Sequence, residues 1–353
     1  MEQRLGFFEN VEVGVVGRNG GGDVGRFNPI ASRDGYFQLE DNDRGTATFV
    51  VPISGLGVDT SSSLECEEAR NIMPFGTEVE IAVDGVGMFA GPVTNVQHEW
   101  GKAKVAASDM TLLWDKRLLP DVDLEDRELT DLFSSVHESG TASDPIGLGL
   151  QVVSRSETRS DRNISVEDRR SLGSELASIA DAGVDYVTRF RTCFLSGQPV
   201  EEPVASLSDQ HFTEGLRTEL RGEIQANRVI VIGIDESIAG IAEDRASIAA
   251  VGLLEHVEDI PEIETVREAT DAAHALLAEL LRPVFLRMPQ QSTLAHDAPI
   301  TLAELLPGRI VEIAFSASCY PLQQQFRIST VRFSFDRRVT VGFQPVAMER
   351  EFS

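Results

Sequence analysis

Thr77-Glu78-Val79-Glu80-Ile81-Ala82-Val83-Asp84-Gly85-Val86-Gly87-Met88-Phe89-Ala90 is the segment from which the architecture can be read. Val79, Ile81 and Val83 alternate with Glu78, Glu80 and Ala82, the two-residue period of a half-buried strand. Asp84-Gly85 supplies the positive φ angles of a tight hairpin turn, and Val86–Ala90 returns as a second strand. Gly91-Pro92 is expected to break that strand, and a third to start at Val93. Along the third run the apolar phase slips, from Val93 to Val96, His98 and Trp100. A one-residue slip carries side chains to the opposite face, so a bulge is predicted near Asn95. Gly101 turns the chain into Lys102–Ala107, where Ala103, Val105 and Ala107 alternate again. Phe75 to Leu119 therefore reads as a β-meander.

A second meander is legible near the C-terminal end. Leu305-Leu306-Pro307-Gly308 leads into Ile310–Ser316, then Phe326–Phe335, then Val339–Phe343. Phe326 and Ile328 share one parity while Val331, Phe333 and Phe335 share the other, which predicts a bulge at Ser329-Thr330. Asp336-Arg337-Arg338 closes the last hairpin. The two meanders do not align residue for residue. They share strand number, length and a mid-strand slip; two unrelated meanders in a β-rich chain are the alternative.

The chain has 353 residues, enough for two or three domains and a sizeable core. Hydrophobic residues make up 42% and charged residues 25%, both ordinary for a globular protein. No apolar run approaches the ~20 residues of a membrane span. Met1-Glu2-Gln3-Arg4 does not read as a signal peptide, so synthesis in a cytoplasm is expected. The net charge of −26 argues against nucleic-acid binding, which needs a basic face. The basic residues are 3 Lys and 28 Arg, a ratio that fits a GC-rich coding bias or a halophilic surface. Charge is also uneven: Asp235 to Asp271 carries 11 acids and 2 arginines, whereas Gly308 to Arg350 carries 6 arginines and 3 acids. Cys66, Cys193 and Cys319 lie far apart in sequence and read as reduced, buried or half-buried thiols.

In chain order, Val11–Val16 reads as a first strand. Gly20-Gly21-Gly22-Asp23-Val24-Gly25 satisfies G-x-G-x-x-G, but a dinucleotide site needs a helix to open there. Arg26-Phe27-Asn28-Pro29 resists helix, so the glycines read as a loop. Tyr36–Glu40 and Gly45–Val51 read as strands, Ser54–Ser63 as a Gly/Ser-rich loop, and Met110–Leu119 as a core edge around Trp114. Asp121-Val122-Asp123-Leu124-Glu125-Asp126 lacks the glycine and the terminal glutamate of a calcium loop and is expected to open a helix. Leu129, Leu132, Phe133 and Val136 then fall at helical spacing, ended by Gly140. Gln151–Ser160 reads as a strand running into a polar loop, and Ser171–Ala182 as a helix stopped by Gly183. Val184–Arg189 and Phe190–Leu195 follow as strands. Arg228–Gly233 is a continuous apolar run, expected to be a strand covered on both faces and to join the second meander. Val266, Ala269, Ala273, Leu276, Leu277, Leu280 and Leu281 line one side of a helix stopped by Pro283.

No catalytic, cofactor-binding or metal-binding set stands out. There is no G-x-S-x-G elbow and no H-E-x-x-H, and the six histidines (His98, His137, His211, His256, His274, His296) are isolated. Carboxylate pairs cannot be assigned by counting when 57 acids are present.

The order of parts resembles the tail hub (baseplate hub) proteins of tailed bacteriophages, known in siphophages as minor tail proteins. Thr77–Leu119 carries the resemblance first, ending in Ser108-Asp109-Met110-Thr111-Leu112-Leu113-Trp114-Asp115-Lys116-Arg117. Ala226–Gly233, with Asp244-Arg245-Ala246-Ser247-Ile248 and Gly252-Leu253-Leu254-Glu255, carries it next. Ala298-Pro299-Ile300-Thr301-Leu302 with Leu306-Pro307-Gly308 completes it. None of these is an active-site motif. The resemblance implies an α+β, mostly β fold with two similar small β-barrels per chain. The first barrel would span 1–119, an α+β insert 120–199, the start of the second barrel 200–234, a helical block 235–297, and the rest of the second barrel 298–353. It implies a homotrimeric ring at the tail tip of a virion, adapting a sixfold tail tube or distal tail ring to threefold central fibre or tip proteins. Tape measure protein and genomic DNA would pass through the lumen. It implies no enzyme, cofactor or membrane span. A tail-associated cell-wall-degrading enzyme, or a distal tail or carbohydrate-binding protein, are the alternatives.

Overall fold

The computed structural model describes residues 10–18, 23–27, 35–53, 64–143, 145–197, 202–220, 222–234, 237–261, 263, 265–281, 284–287, 291–316 and 322–346. The three glycines at 20–22, the Gly/Ser-rich loop at 54–63, Pro283 and Cys319 lie outside these residues. The chain is mostly β and divides into two compact units.

The first unit opens with β1 (Val11–Gly17), β2 (Asp23–Phe27), β3 (Tyr36–Glu40), β4 (Thr46–Pro52) and the short helix α1 (Cys66–Arg70). The first meander follows as β5 (Thr77–Val83), β6 (Val86–Glu99) and β7 (Lys102–Ser108). Asp84 and Gly85 turn the hairpin with φ of 48° and 80°. The register of β6 against β7 shifts between Val93 and Asn95, which puts the bulge at Thr94, where it was expected. Gly91-Pro92 does not break β6. The strand runs through it, pairing with β5 up to Pro92 and with β7 from Val93. Glycine is required at that changeover: a Cβ on Gly91 would lie 1.8 Å from the Ser108 carbonyl oxygen.

The insert begins after a 3-10 turn at Met110–Lys116. It comprises β8 (Val122–Glu128), α2 (Leu129–Thr141), β9 (Gly149–Ser154), β10 (Arg159–Ile164), α3 (Leu172–Asp181), β11 (Asp185–Arg189) and β12 (Thr192–Ser196). The acidic run expected to open a helix is instead β8, paired with β10. Helix α2 starts only at Leu129, because the Glu128 carboxylate accepts from the Thr130 and Asp131 amides as its N-cap. Leu129, Leu132, Phe133 and Val136 then face the core, as do Leu172, Leu176 and Ile179 of α3. Trp114 packs edge-on to Phe133, His137 and Tyr186. Leu113, Trp114 and Leu119 are buried there, whereas Leu118 is exposed.

β13 (Ala205–Ser208) follows the insert. The second unit contains β14 (Arg217–Leu220), β15 (Arg228–Ile232), β16 (Ala239–Glu243), α4 (Arg245–Val251), β17 (Glu255–Asp259), α5 (Val266–Leu280) and β18 (Val284–Arg287). The apolar run at β15 does not join the second meander. It is the central strand of its own sheet, antiparallel to β16 and parallel to β17. Only Val229 and Val231 are fully buried, against Ala269, Ala273 and Leu276 of α5. Gly240 admits that helix, since a Cβ there would meet the Ala269 carbonyl carbon at 2.1 Å. The stretch read as a helical block thus carries strands as well. Glu255-His256-Val257-Glu258-Asp259 of β17 has no apolar alternation; parallel pairing to β15 holds it.

Most of the second meander belongs to the first unit. It comprises β19 (Ser292–Thr293), β20 (Ile310–Phe315), β21 (Leu322–Ser334) and β22 (Val339–Pro345). Its register shifts between Ile328 and Thr330, placing the bulge at Ser329 as expected. The bulge lets both parities face inward: Phe326, Ile328, Val331, Phe333 and Phe335 are all buried. The two meanders do not close as separate barrels among the described residues. β21 pairs with β3, β3 with β4, and β4 with β7. One hydrogen-bonded path therefore runs β13-β20-β21-β3-β4-β7-β6-β5-β1-β2, with β22 paired to β21 off this path and β19 paired to β22. The bridging hairpin β3–β4 takes the edges that each barrel would have needed to close on itself. Phe37 of β3 stacks on Phe333 of β21 with ring centroids 4.8 Å apart, across the join.

Candidate interaction surface

The joints between the parts are built from partly buried charge. Arg327, just before the second bulge, places its guanidinium 2.7 Å from Asp41 at the end of β3 and 2.8 Å from Asp185 at the start of β11. The Asp41 amide donates to the carbonyl of bulged Ser329 at 3.0 Å. Asn42, with φ of 53°, exchanges hydrogen bonds with Tyr186: its amide donates to the Tyr186 carbonyl at 2.9 Å, and its side-chain oxygen accepts from the Tyr186 amide at 2.6 Å. Meander, bridging hairpin and insert thus meet at one point. Burial opposes the Arg327 charge, but Asp41 and Asp185 outweigh it and hold the guanidinium pKa above its usual value. Burial pushes the Asp41 carboxyl up, with Arg327 pulling against it and Asp185 adding to it.

A second joint lies where β7 leaves the meander. Asp109 is wholly buried and accepts from the Gly45 amide at 2.7 Å, the Thr111 amide at 3.0 Å and the Thr111 hydroxyl at 2.5 Å. Burial raises its pKa to about 6 despite those bonds. Arg44 pairs with Asp115 beside it. In the same region of the chain His137 is buried beside Trp114, and burial with nearby Arg117 lowers its pKa to about 4.

A third joint is the tip of the β11–β12 hairpin. Phe190, with φ of 54°, donates its amide to the Met88 carbonyl at 3.0 Å. Arg191 reaches Glu78 at 2.6 Å and Glu80 at 2.9 Å. These joints leave two kinds of surface open. The sheet path ends in β2 and β13, each with one strand neighbour among the described residues. An open edge is a template for pairing with another chain. The β6–β7 hairpin ends in Trp100, 83% exposed, with Lys102 and Lys104 on its stem.

The residues that sequence singled out for chemistry stay apart. His98, His274 and His296 are exposed on separate elements. The His211 ring nitrogen accepts from the Ser208 amide, and His256 sits 2.9 Å from Glu258. Asp121 accepts from the Val166 amide and Asp126 from Arg159. Cys66 is exposed on α1, contrary to expectation, because it occupies the outer face of a one-turn helix. Cys193 is buried in the insert core, which pushes its thiol pKa up. Among the described residues no group of three or more His, Cys, Asp or Glu is placed to hold a metal ion. No described helix is long and apolar enough to cross a membrane.

No protein-family model matches the chain, and no curated protein sequence matches it. Solved structures do. The tail protein from Neisseria meningitidis MC58 is similar with a TM-score of 0.51 at 14% identity, over 95% of this chain and 96% of that one. The 43 kDa tail protein of prophage MuSo2 from Shewanella oneidensis is similar with a TM-score of 0.52 at 10% identity, over 95% and 97%. At such identities the likeness is one of fold, and it extends over nearly the whole of each chain: this protein has the fold of phage tail proteins.

Proposed function

We propose that the chain is a structural hub protein of a phage tail. Three copies close a ring at the tail tip and adapt a sixfold tail tube or distal tail ring to threefold tip proteins. The observation that carries this reading is the pair of bulged meanders in one polypeptide, at Thr94 and Ser329, joined in a single sheet path. Closed rings repeat one surface per symmetry step, so two like modules per chain let three chains present six. The open edges at β2 and β13 suit contact from copy to copy. The role is structural rather than catalytic, and the neighbours are the distal tail or tube protein, tape measure protein and the central fibre. Genomic DNA crosses the lumen in transit, and an anionic lining repels its phosphates.

Native mass spectrometry of the purified protein, alone and with its genomic neighbours, tests the reading. An assembly of three chains supports it; a stable hexamer or a monomer under both conditions contradicts it. Release of soluble fragments from host peptidoglycan would replace it with an enzymatic reading.

A further inference from the structure

A groove of about 430 Å3 lies in the first unit between the outer face of the first meander and the β11–β12 hairpin. That volume falls within the ~300–1,000 Å3 usual for ligand clefts. Ala82 and Gly87 are among the small residues that line it, and Phe190 and Phe194 flank it. Three of its charged residues are balanced: Glu12 pairs with Arg26 at 3.1 Å, and Glu80 with Arg191 at 2.9 Å. The fourth is not. Arg189 is half-buried, its guanidinium lies 5.4 Å from the Phe194 ring centroid, and among the described residues no carboxylate pairs with it.

Arg189 stands apart from the other arginines whose pKa departs from normal. Arg159, Arg191, Arg327 and Arg338 are each raised, with carboxylates supplying the rise. Arg189 is lowered, by burial alone. A half-buried guanidinium with no carboxylate partner among the described residues is held at some desolvation cost, which a bound anion would offset. Its planar fork suits a carboxylate, which it can grip with two parallel hydrogen bonds. Gly87 is covered by the Phe190 ring, but at Gly14 and Gly85 a Cβ would meet nothing closer than 3.8 Å, so the floor leaves room for backbone there, and the aromatic walls suit the aliphatic stems of acidic side chains.

We propose that this groove binds an extended acidic peptide segment, one of whose carboxylates pairs with Arg189. The site does not depend on the hub reading: it stands for any protein partner that presents such a segment.

Isothermal titration of the full-length protein with acetylated, amidated hexaglutamate tests it, with hexaglutamine and inorganic phosphate as further probes. Hexaglutamate is expected to bind, hexaglutamine to bind at least tenfold more weakly, and Arg189→Gln to weaken hexaglutamate at least tenfold. Ala82→Leu, which keeps Arg189 but fills the floor, is expected to weaken it as well. Circular dichroism and thermal melting establish that both variants are folded. Absence of hexaglutamate binding, equal binding by Arg189→Gln, or equal binding of hexaglutamine overturns the proposal. Tighter binding of phosphate than of hexaglutamate overturns it in favour of a phosphate site.

Discussion

The Arg327 guanidinium lies 2.7 Å from the Asp41 carboxylate, across 286 residues of chain. It also lies 2.8 Å from Asp185, so one cation serves two partly buried anions. Removing the cation leaves two carboxylates facing each other, whereas neutralising Asp41 leaves Arg327 with Asp185. Arg327→Met is therefore expected to cost about 3 kcal/mol at neutral pH, and Asp41→Asn less. Without the cation the folded-state pKa of Asp41 rises further above its unfolded value. The loss should then shrink as pH falls through that raised pKa, since the folded state takes up the proton first. Urea unfolding at pH 7 and pH 4.5 measures both effects; an equal loss in the two variants would contradict this arrangement.

Asp109 and His137 should have opposing effects on stability over the same pH range. Asp109 stays protonated up to about pH 6 in the folded chain but ionises near its ordinary 3.8 when unfolded. As pH rises between those values the unfolded chain loses its proton first, and stability falls. His137 refuses its proton down to about pH 4 when folded but takes it near 6.5 when unfolded. As pH falls between those values stability falls. Each slope is about 1.4 kcal/mol per pH unit, and over their shared range they nearly cancel. His137→Leu is expected to show stability declining as pH rises through the shared range, and Asp109→Asn the reverse. Denaturant titrations at half-unit pH steps distinguish these outcomes from parallel profiles.

Ser329 acts through its position in the chain. Deleting it would remove the bulge and turn Phe326 and Ile328 away from the core, at about 1.5–3 kcal/mol for each side chain. Ser329→Ala keeps the bulge and the carbonyl that Asp41 uses, and should change stability by less than about 0.5 kcal/mol. Urea midpoints compare the two. A mild deletion would show that the strand can shift its register.

Gly91→Ala places a methyl group against the backbone of Ser108 and Asp109, which no rotamer change can relieve. The expected loss is above about 3 kcal/mol, seen as insolubility or a collapsed melting transition. Gly85→Ala, where a Cβ meets nothing within 4 Å but φ is 80°, should cost only about 1 kcal/mol.

The bulges, the Asp84-Gly85 hairpin and helices α2 and α3 were legible because each is a local rule written in consecutive residues. A phase slip in a period-two run predicts a bulge whatever the strand pairs with. Long-range pairing leaves no such mark. Nothing near Phe37 or Phe333 announces that their strands are partners, so the sequence suggested two closed modules where one path joins both. Polar strands were missed for a related reason: β8 and β17 are held by ladder hydrogen bonds, β17 carries no hydrophobic period, and in β8 the period stops after Val122 and Leu124. Of the interaction surfaces, the exposed Trp100 read as one more apolar residue in a slipping strand. Arg189 was one arginine among 28, and its lack of a carboxylate partner among the described residues emerges only when the hairpin is folded against the meander.

The decisive measurement is a cryo-electron microscopy reconstruction of the intact tail tip, computed without imposed symmetry. Three copies of this chain per tail, with their two meanders alternating around a ring that faces the sixfold tube, is the expected result. Six copies, a single copy, or meanders of one kind alone facing the tube would contradict it.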